Sequence, residues 1–127
     1  MFELKDDCKL SDIQKWQTGT LLVYCRVYLF CLEYNLNCLI TSLISDRKNT
    51  QSTSRTHEEG RAFDISTHGW SNVHIEKLCF LLNGEFLDIG AIGKDSIVRV
   101  AVYHNFNGQG DHIHCQIRRD ANINRFF

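Results

Sequence analysis

Proline is missing altogether from this sequence of 127 residues. No proline-rich linker, repeat or low-complexity tract divides the chain, which points to one compact domain over residues 1–127. An excess of charge of either sign is missing too, since 14 Lys and Arg stand against 15 Asp and Glu for a formal net charge of -1. That balance excludes an electrostatically driven nucleic-acid binder as the default reading. With 43% of residues apolar, it also excludes a disordered segment. The opening stretch, MFELKDDCKLSDIQ, lacks the basic start and apolar run of a secretory signal. The longest apolar block, Leu21 to Leu32, is broken by Arg26 and falls short of the ~20 residues of a membrane helix. The expectation is a chain with no exported leader and no membrane partner.

Against these absences stand six cysteines and six histidines. No two cysteines form a C-x-x-C pair, which excludes a zinc ribbon or a thioredoxin-type motif. Cys25, Cys31, Cys38 and Cys79 lie inside apolar runs, where a free thiol behaves as a small buried hydrophobe. Reduced core thiols of a cytosolic setting are expected.

The pattern of apolar residues gives the order α-β-β-α-β-β. Leu21, Cys25, Tyr28, Leu29 and Leu32 follow helical spacing between about Thr18 and Asn35. Cys38 to Ile44 reads as a short buried strand, Ser45 to Thr56 as a polar loop, and Arg61 to Ser66 as a strand. Ser71 is a plausible N-cap for a helix carrying Ile75, Leu78, Cys79 and Leu82 on one face, with Asn83-Gly84 as its stop. Ile97 to Tyr103 reads as a strand, Asn107-Gly108 as a turn, and His112 to Ile117 as the returning strand. The fold class that fits is α+β: an antiparallel sheet with helices packed on one side.

Two short segments concentrate the chemistry, His57-Glu58-Glu59-Gly60-Arg61-Ala62-Phe63-Asp64 and Asp111-His112-Ile113-His114. A catalytic zinc takes about three imidazole or carboxylate ligands and keeps one position open. His57, Asp64 and one of the paired histidines supply such a set. Seven residues of straight strand span roughly 23 Å at ~3.3 Å each, so the chain must fold back between His57 and Asp64. Gly60 permits that turn because it tolerates positive φ. His112 and His114 alternate onto one strand face, so one can ligate while the other contacts substrate or a developing oxyanion.

The segment HEEGRAFDIS resembles the His-x-x-Gly-x-Ala-x-Asp motif of the M15 family zinc peptidases, which are D-alanyl-D-alanine carboxypeptidases and L-alanyl-D-glutamate endolysins. DHIHCQI is similar to that group's second motif, and HIHC also resembles the zinc segment of the Hedgehog signalling domain. The resemblance runs from Ile40 to Ile117 and implies a Hedgehog/DD-peptidase-like fold. It implies that His57, Asp64 and His114 hold Zn2+ and that Asp111 is the general base, with Glu58 and Glu59 as fallback bases. His112 becomes a contact to the transition state. The implied substrate is a peptidoglycan stem peptide, met by a monomer. The short form resembles phage-encoded members, expected in the host cytoplasm and acting at the cell wall after release or from the virion.

The sequence departs from the family at two places. Arg55 stands where many members carry serine, and the arginine that follows the first strand has no aligned match, Ser45 standing near it. Arg47 or Arg55 could hold a substrate carboxylate instead. The competing classes are a zinc-containing, non-catalytic Hedgehog-like binding domain or phage structural protein, and an HNH-type nuclease. The nuclease fails because only 13 residues follow His114 and none is histidine. Of the other histidines, His68 and His74 are expected at the surface and His104 beside the zinc strand. Cys115 is expected to face the core.

Overall fold

A computed structural model of the chain describes residues 2–6, 8–43, 57, 59–108 and 110–127. Among the described residues seven strands are present: β1 Phe2–Leu4, β2 Cys38–Ser42, β3 Ala62–Ser66, β4 Ala91–Ile92, β5 Val98–Arg99, β6 Ala101–His104 and β7 His112–Gln116. Five form one sheet in the order β1-β2-β3-β7-β6, and β4 pairs with β5 in a separate ribbon. Two helices, α1 Thr18–Glu33 and α2 Asn72–Glu85, pack on one side of the sheet. The α+β class expected from the sequence holds at this level.

The sheet is mixed rather than wholly antiparallel. β1 runs parallel to β2, with Phe2 beside Cys38 and Leu4 beside Ile40, whereas the other pairings are antiparallel. Three residues are too few to show an alternating pattern, so β1 leaves no trace in the sequence. The stretch read as one strand, Ile97 to Tyr103, is broken at the buried Val100. Asn83 accounts for the break. Its Oδ1 accepts from the N–H groups of Val100 (2.7 Å) and Ala101 (2.9 Å), and its Nδ2 donates to the Ala101 carbonyl (2.9 Å). Asn83 therefore does not stop α2, which continues through Gly84 to Glu85. At the other end the expected cap is present, with Ser71 Oγ accepting from the His74 N–H at 3.3 Å.

Strand alternation separates the two sheet faces. Phe63 and Ile65 of β3 with Ile113 and Cys115 of β7 point toward the helices, and all are almost fully buried. They meet Val23, Val27 and Phe30 of α1 and Ile75, Leu78 and Leu82 of α2 in one core. The face of α1 expected to pack is the wrong one: Leu21, Cys25, Leu29 and Leu32 are exposed. The helix is apolar nearly all round, so periodicity could not choose between its sides. Cys25 is thereby an exposed thiol. Cys31, Cys38 and Cys115 are buried, and Cys79 is half-buried.

Candidate metal centre

The opposite sheet face carries the site. β3 and β7 pair so that Asp64 lies directly beside His114, and Ser66 beside His112. Alternation then sets Asp64, His112, His114 and Gln116 on the same side, away from the core. A register shift in β2 pairs Ile40 with Ile65 but Ser42 with Asp64, which brings Ser42 to the site face.

His57 reaches the same place because the chain folds back as expected. The Gly60 N–H donates to the His57 carbonyl at 3.0 Å, and Gly60 has φ +70°. The start of α1 clamps this turn. The Gly60 carbonyl accepts from the Gln17 N–H at 3.0 Å and from Thr20 Oγ1 at 2.7 Å. A Cβ on Gly60 would lie 2.2 Å from the Lys15 carbonyl oxygen, so the close approach requires glycine.

The result is a triad of His57, Asp64 and His114 whose ligand atoms all lie within 4.8 Å of one another. His57 is 3% exposed and Asp64 8%. Asp64 Oδ1 stands 2.8 Å from His114 Nδ1 and 3.6 Å from His57 Nε2. Burial pushes the Asp64 carboxyl upward. The His114 hydrogen bond and the charges of His57, His114 and His112 outweigh it and hold the group below the usual carboxylate range. The remaining ring nitrogens have partners of their own. His57 Nδ1 is 3.5 Å from Ser42 Oγ, and His114 Nε2 is 2.9 Å from Gln116 Oε1. Such outer contacts orient ligating imidazoles.

The donor set fits a divalent cation. Two imidazoles and one carboxylate suit zinc and neighbouring transition metals. Both ring nitrogens of His114 face acceptors, Asp64 Oδ1 and Gln116 Oε1, when Gln116 presents its carbonyl. A proton then occupies the Nδ1–Oδ1 axis, where a cation would replace it.

The other expected residues separate into groups. His112 approaches the triad, with Nε2 3.8 Å from Asp64 Oδ2, while its Nδ1 lies 2.8 Å from the Gly110 carbonyl. A carbonyl only accepts, so Nδ1 carries a hydrogen and donates to it, while Nε2 is the ring nitrogen on the Asp64 side. Asp111 opens the strand, and its carboxylate is committed locally. Oδ2 accepts from the Tyr103 hydroxyl at 3.0 Å, and Oδ1 accepts from the N–H groups of Phe106 (2.7 Å) and Gly108 (3.0 Å). The Phe106 bond leads in holding this carboxyl below its ordinary range. The Glu59 carboxylate is engaged by Arg61 at 2.6 Å and Arg119 at 2.7 Å. Ser45, Arg47, Arg55 and Glu58 lie outside the described residues.

His104 sits at the rim, opposite His112 in the β6–β7 pairing with ring centroids 5.0 Å apart. His68 is exposed as expected, but His74 is half-buried against Tyr34, 4.8 Å between centroids. Sequence reading missed Ser42 and Gln116. Alternation from His112 and His114 carries a signal for Gln116, whereas Ser42 depends on the β2 register shift.

A search of protein-family models, curated proteins and solved structures finds no match to the chain.

Proposed function

We propose that the chain is a zinc-dependent peptidase hydrolysing amide bonds in peptidoglycan stem peptides, of the M15 type that its two motifs resemble. The observation that carries this reading is the buried His57/Asp64/His114 set with its ligand atoms within 4.8 Å of one another. Zinc held there would supply an acidified water and a Lewis acid for the scissile carbonyl. Asp111 is the base the motif names, taking the proton from the attacking water and passing it to the leaving amine. His112 shares that side of the site, and its Nε2 is oriented to contact the reacting group. His57 and His114 are held in orientation by Ser42 and Gln116.

The non-catalytic, zinc-containing binding domain stands as the second reading. The observation favouring it is the Asp111 carboxylate already occupied by Tyr103 and two backbone N–H groups.

One experiment separates the two. Zinc is quantified in the purified protein and in Asp111→Ala and His112→Ala, and each is incubated with purified muropeptides. The peptidase reading expects zinc in all three and cleavage lost with Asp111→Ala. Cleavage lost only with His112→Ala moves the base to His112. Zinc without any cleavage by the unsubstituted protein favours the binding domain, and no zinc at all sinks both.

A further inference from the structure

Beside the metal centre, at the Gln116 end of β7, lies a cleft of about 550 Å³. Gln116 belongs to its lining and is one hydrogen bond from the candidate ligand His114, so the cleft adjoins the triad. One part of its wall is apolar: Leu87, Ile92 and Val98, of which Leu87 and Ile92 are strongly exposed. The remainder is cationic, contributed by Arg61, Lys94, Arg118 and Arg119, with Asp88 as the acidic group.

The charges are not equally committed. Arg61 is spent on Glu59 and on the Ile117 carbonyl, the latter at 2.8 Å. Arg119 shares Glu59, and Asp88 is taken by Arg125 at 2.6 Å. Lys94 and Arg118 form no ion pair among the described residues. Two cations without an ion pair among the described residues therefore line a cleft whose acid is held by Arg125, with Arg118 also in its field, and whose other wall is aliphatic. An anionic group with an apolar neighbour satisfies both walls, and a guanidinium and an ammonium lining one cleft suit a carboxylate. A bare inorganic anion would leave the exposed Leu87 and Ile92 uncovered.

We propose that this cleft is a carboxylate subsite for a short acidic peptide. Lys94 and Arg118 hold the carboxylate, and an aliphatic side chain of the peptide covers Leu87, Ile92 and Val98. The peptide then runs past Gln116 toward the triad. The assignment rests on the peptidase reading only in taking the ligand to be a peptide.

The test is an amide-resolved NMR titration of the full chain, as purified and again after chelation, so that binding is read apart from turnover. The probes are N-acetyl-alanyl-glutamate, its uncharged counterpart N-acetyl-alanyl-glutamine amide, and inorganic phosphate. The acidic peptide is expected to shift the Gly93, Lys94 and Arg118 amides saturably and to bind about tenfold or more tighter than the uncharged one. Lys94→Ala and Arg118→Ala each remove most of that difference. Arg26→Ala, a cation paired with Glu85 away from the cleft, leaves it intact. Lys94 and Arg118 are exposed, and an unchanged thermal melt verifies the fold of each variant. Equal affinity for the two peptides, or a Lys94→Ala/Arg118→Ala double variant that binds like the parent, overturns the subsite. Phosphate binding as tightly as the acidic peptide overturns the peptide assignment. Failure of zinc binding leaves this titration standing, and failure of the titration leaves the metal centre standing.

Discussion

Asp64 and His114 are direct partners across the β3–β7 pairing, and their side chains meet with Oδ1 2.8 Å from Nδ1. A proton and a metal ion would compete for that gap. Zinc binding near neutral pH is therefore expected to release about one proton per ion, and affinity should weaken as pH falls. Calorimetry in buffers of different ionisation enthalpy measures the release. Asp64→Asn removes the anionic ligand and should weaken zinc by more than about 100-fold, beyond what loss of an outer contact does. An unchanged affinity in that variant excludes Asp64 from the coordination sphere.

Gln116 is expected to act on the metal without touching it. Its Oε1 lies 2.9 Å from His114 Nε2 and so directs Nδ1 toward Asp64. Gln116→Ala should reduce zinc affinity roughly 10–100-fold while leaving stoichiometry unchanged. Competition against a chromophoric chelator reads both quantities. A variant with the parent's affinity shows that strand geometry alone fixes the imidazole.

The local part of this site was legible in the sequence. His57, Gly60 and Asp64 lie within one turn and one strand, and strand alternation is enough to place His112 beside His114. What alternation cannot show is where a side chain is already engaged. Asp111 looked available in the sequence, yet its carboxylate closes the Phe106–Gly108 loop. The fold divides in the same way. Capping at Ser71 is local and could be read. The parallel β1–β2 pairing and the buried side of α1 depend on distant partners, and an all-apolar helix offers no contrast from which to infer them.

The Gly60 turn links α1 to the candidate metal centre, so its substitution should damage stability and binding together. In Gly60→Ala a Cβ meets the Lys15 carbonyl oxygen at 2.2 Å while φ is +70°. Left-handed backbone alone costs about 1–2 kcal/mol, and relieving the clash must shift either the turn or the start of α1. The expected loss is at least about 2 kcal/mol in chemical denaturation, with zinc affinity reduced in the fraction that remains folded. Stability and affinity both matching the parent would show that α1 does not set the position of His57.

Asp111 is expected to make the loop between β6 and β7 respond to pH. Its carboxyl is held below the ordinary carboxylate range, first by the Phe106 N–H and then by Tyr103 and Gly108. A depressed folded-state value means the stabilisation is fully present above the usual range and disappears as pH falls through the lowered value. The amide signals of Phe106 and Gly108 should therefore stay constant from neutral pH down through the normal carboxylate range and move together only below it. Movement at the ordinary aspartate value would mean that the three hydrogen bonds do not persist in solution.

The thiols distinguish the observed side of α1 from the side expected to pack. Cys25 is exposed, whereas Cys31, Cys38 and Cys115 are almost fully buried. Cys79 is half-buried, and burial raises its pKa to about 11, which leaves little thiolate at neutral pH. Iodoacetamide under native conditions should modify Cys25 first and Cys79 slowly, and should leave Cys31, Cys38, Cys115 and the likewise buried Cys8 unmodified until denaturant is added. Peptide mapping by mass spectrometry assigns each adduct. If Cys25 is protected while Cys31 reacts, α1 is rotated and packs through Leu21, Leu29 and Leu32 after all. Because α1 also clamps the Gly60 turn, that rotation would withdraw the support beneath His57 as well.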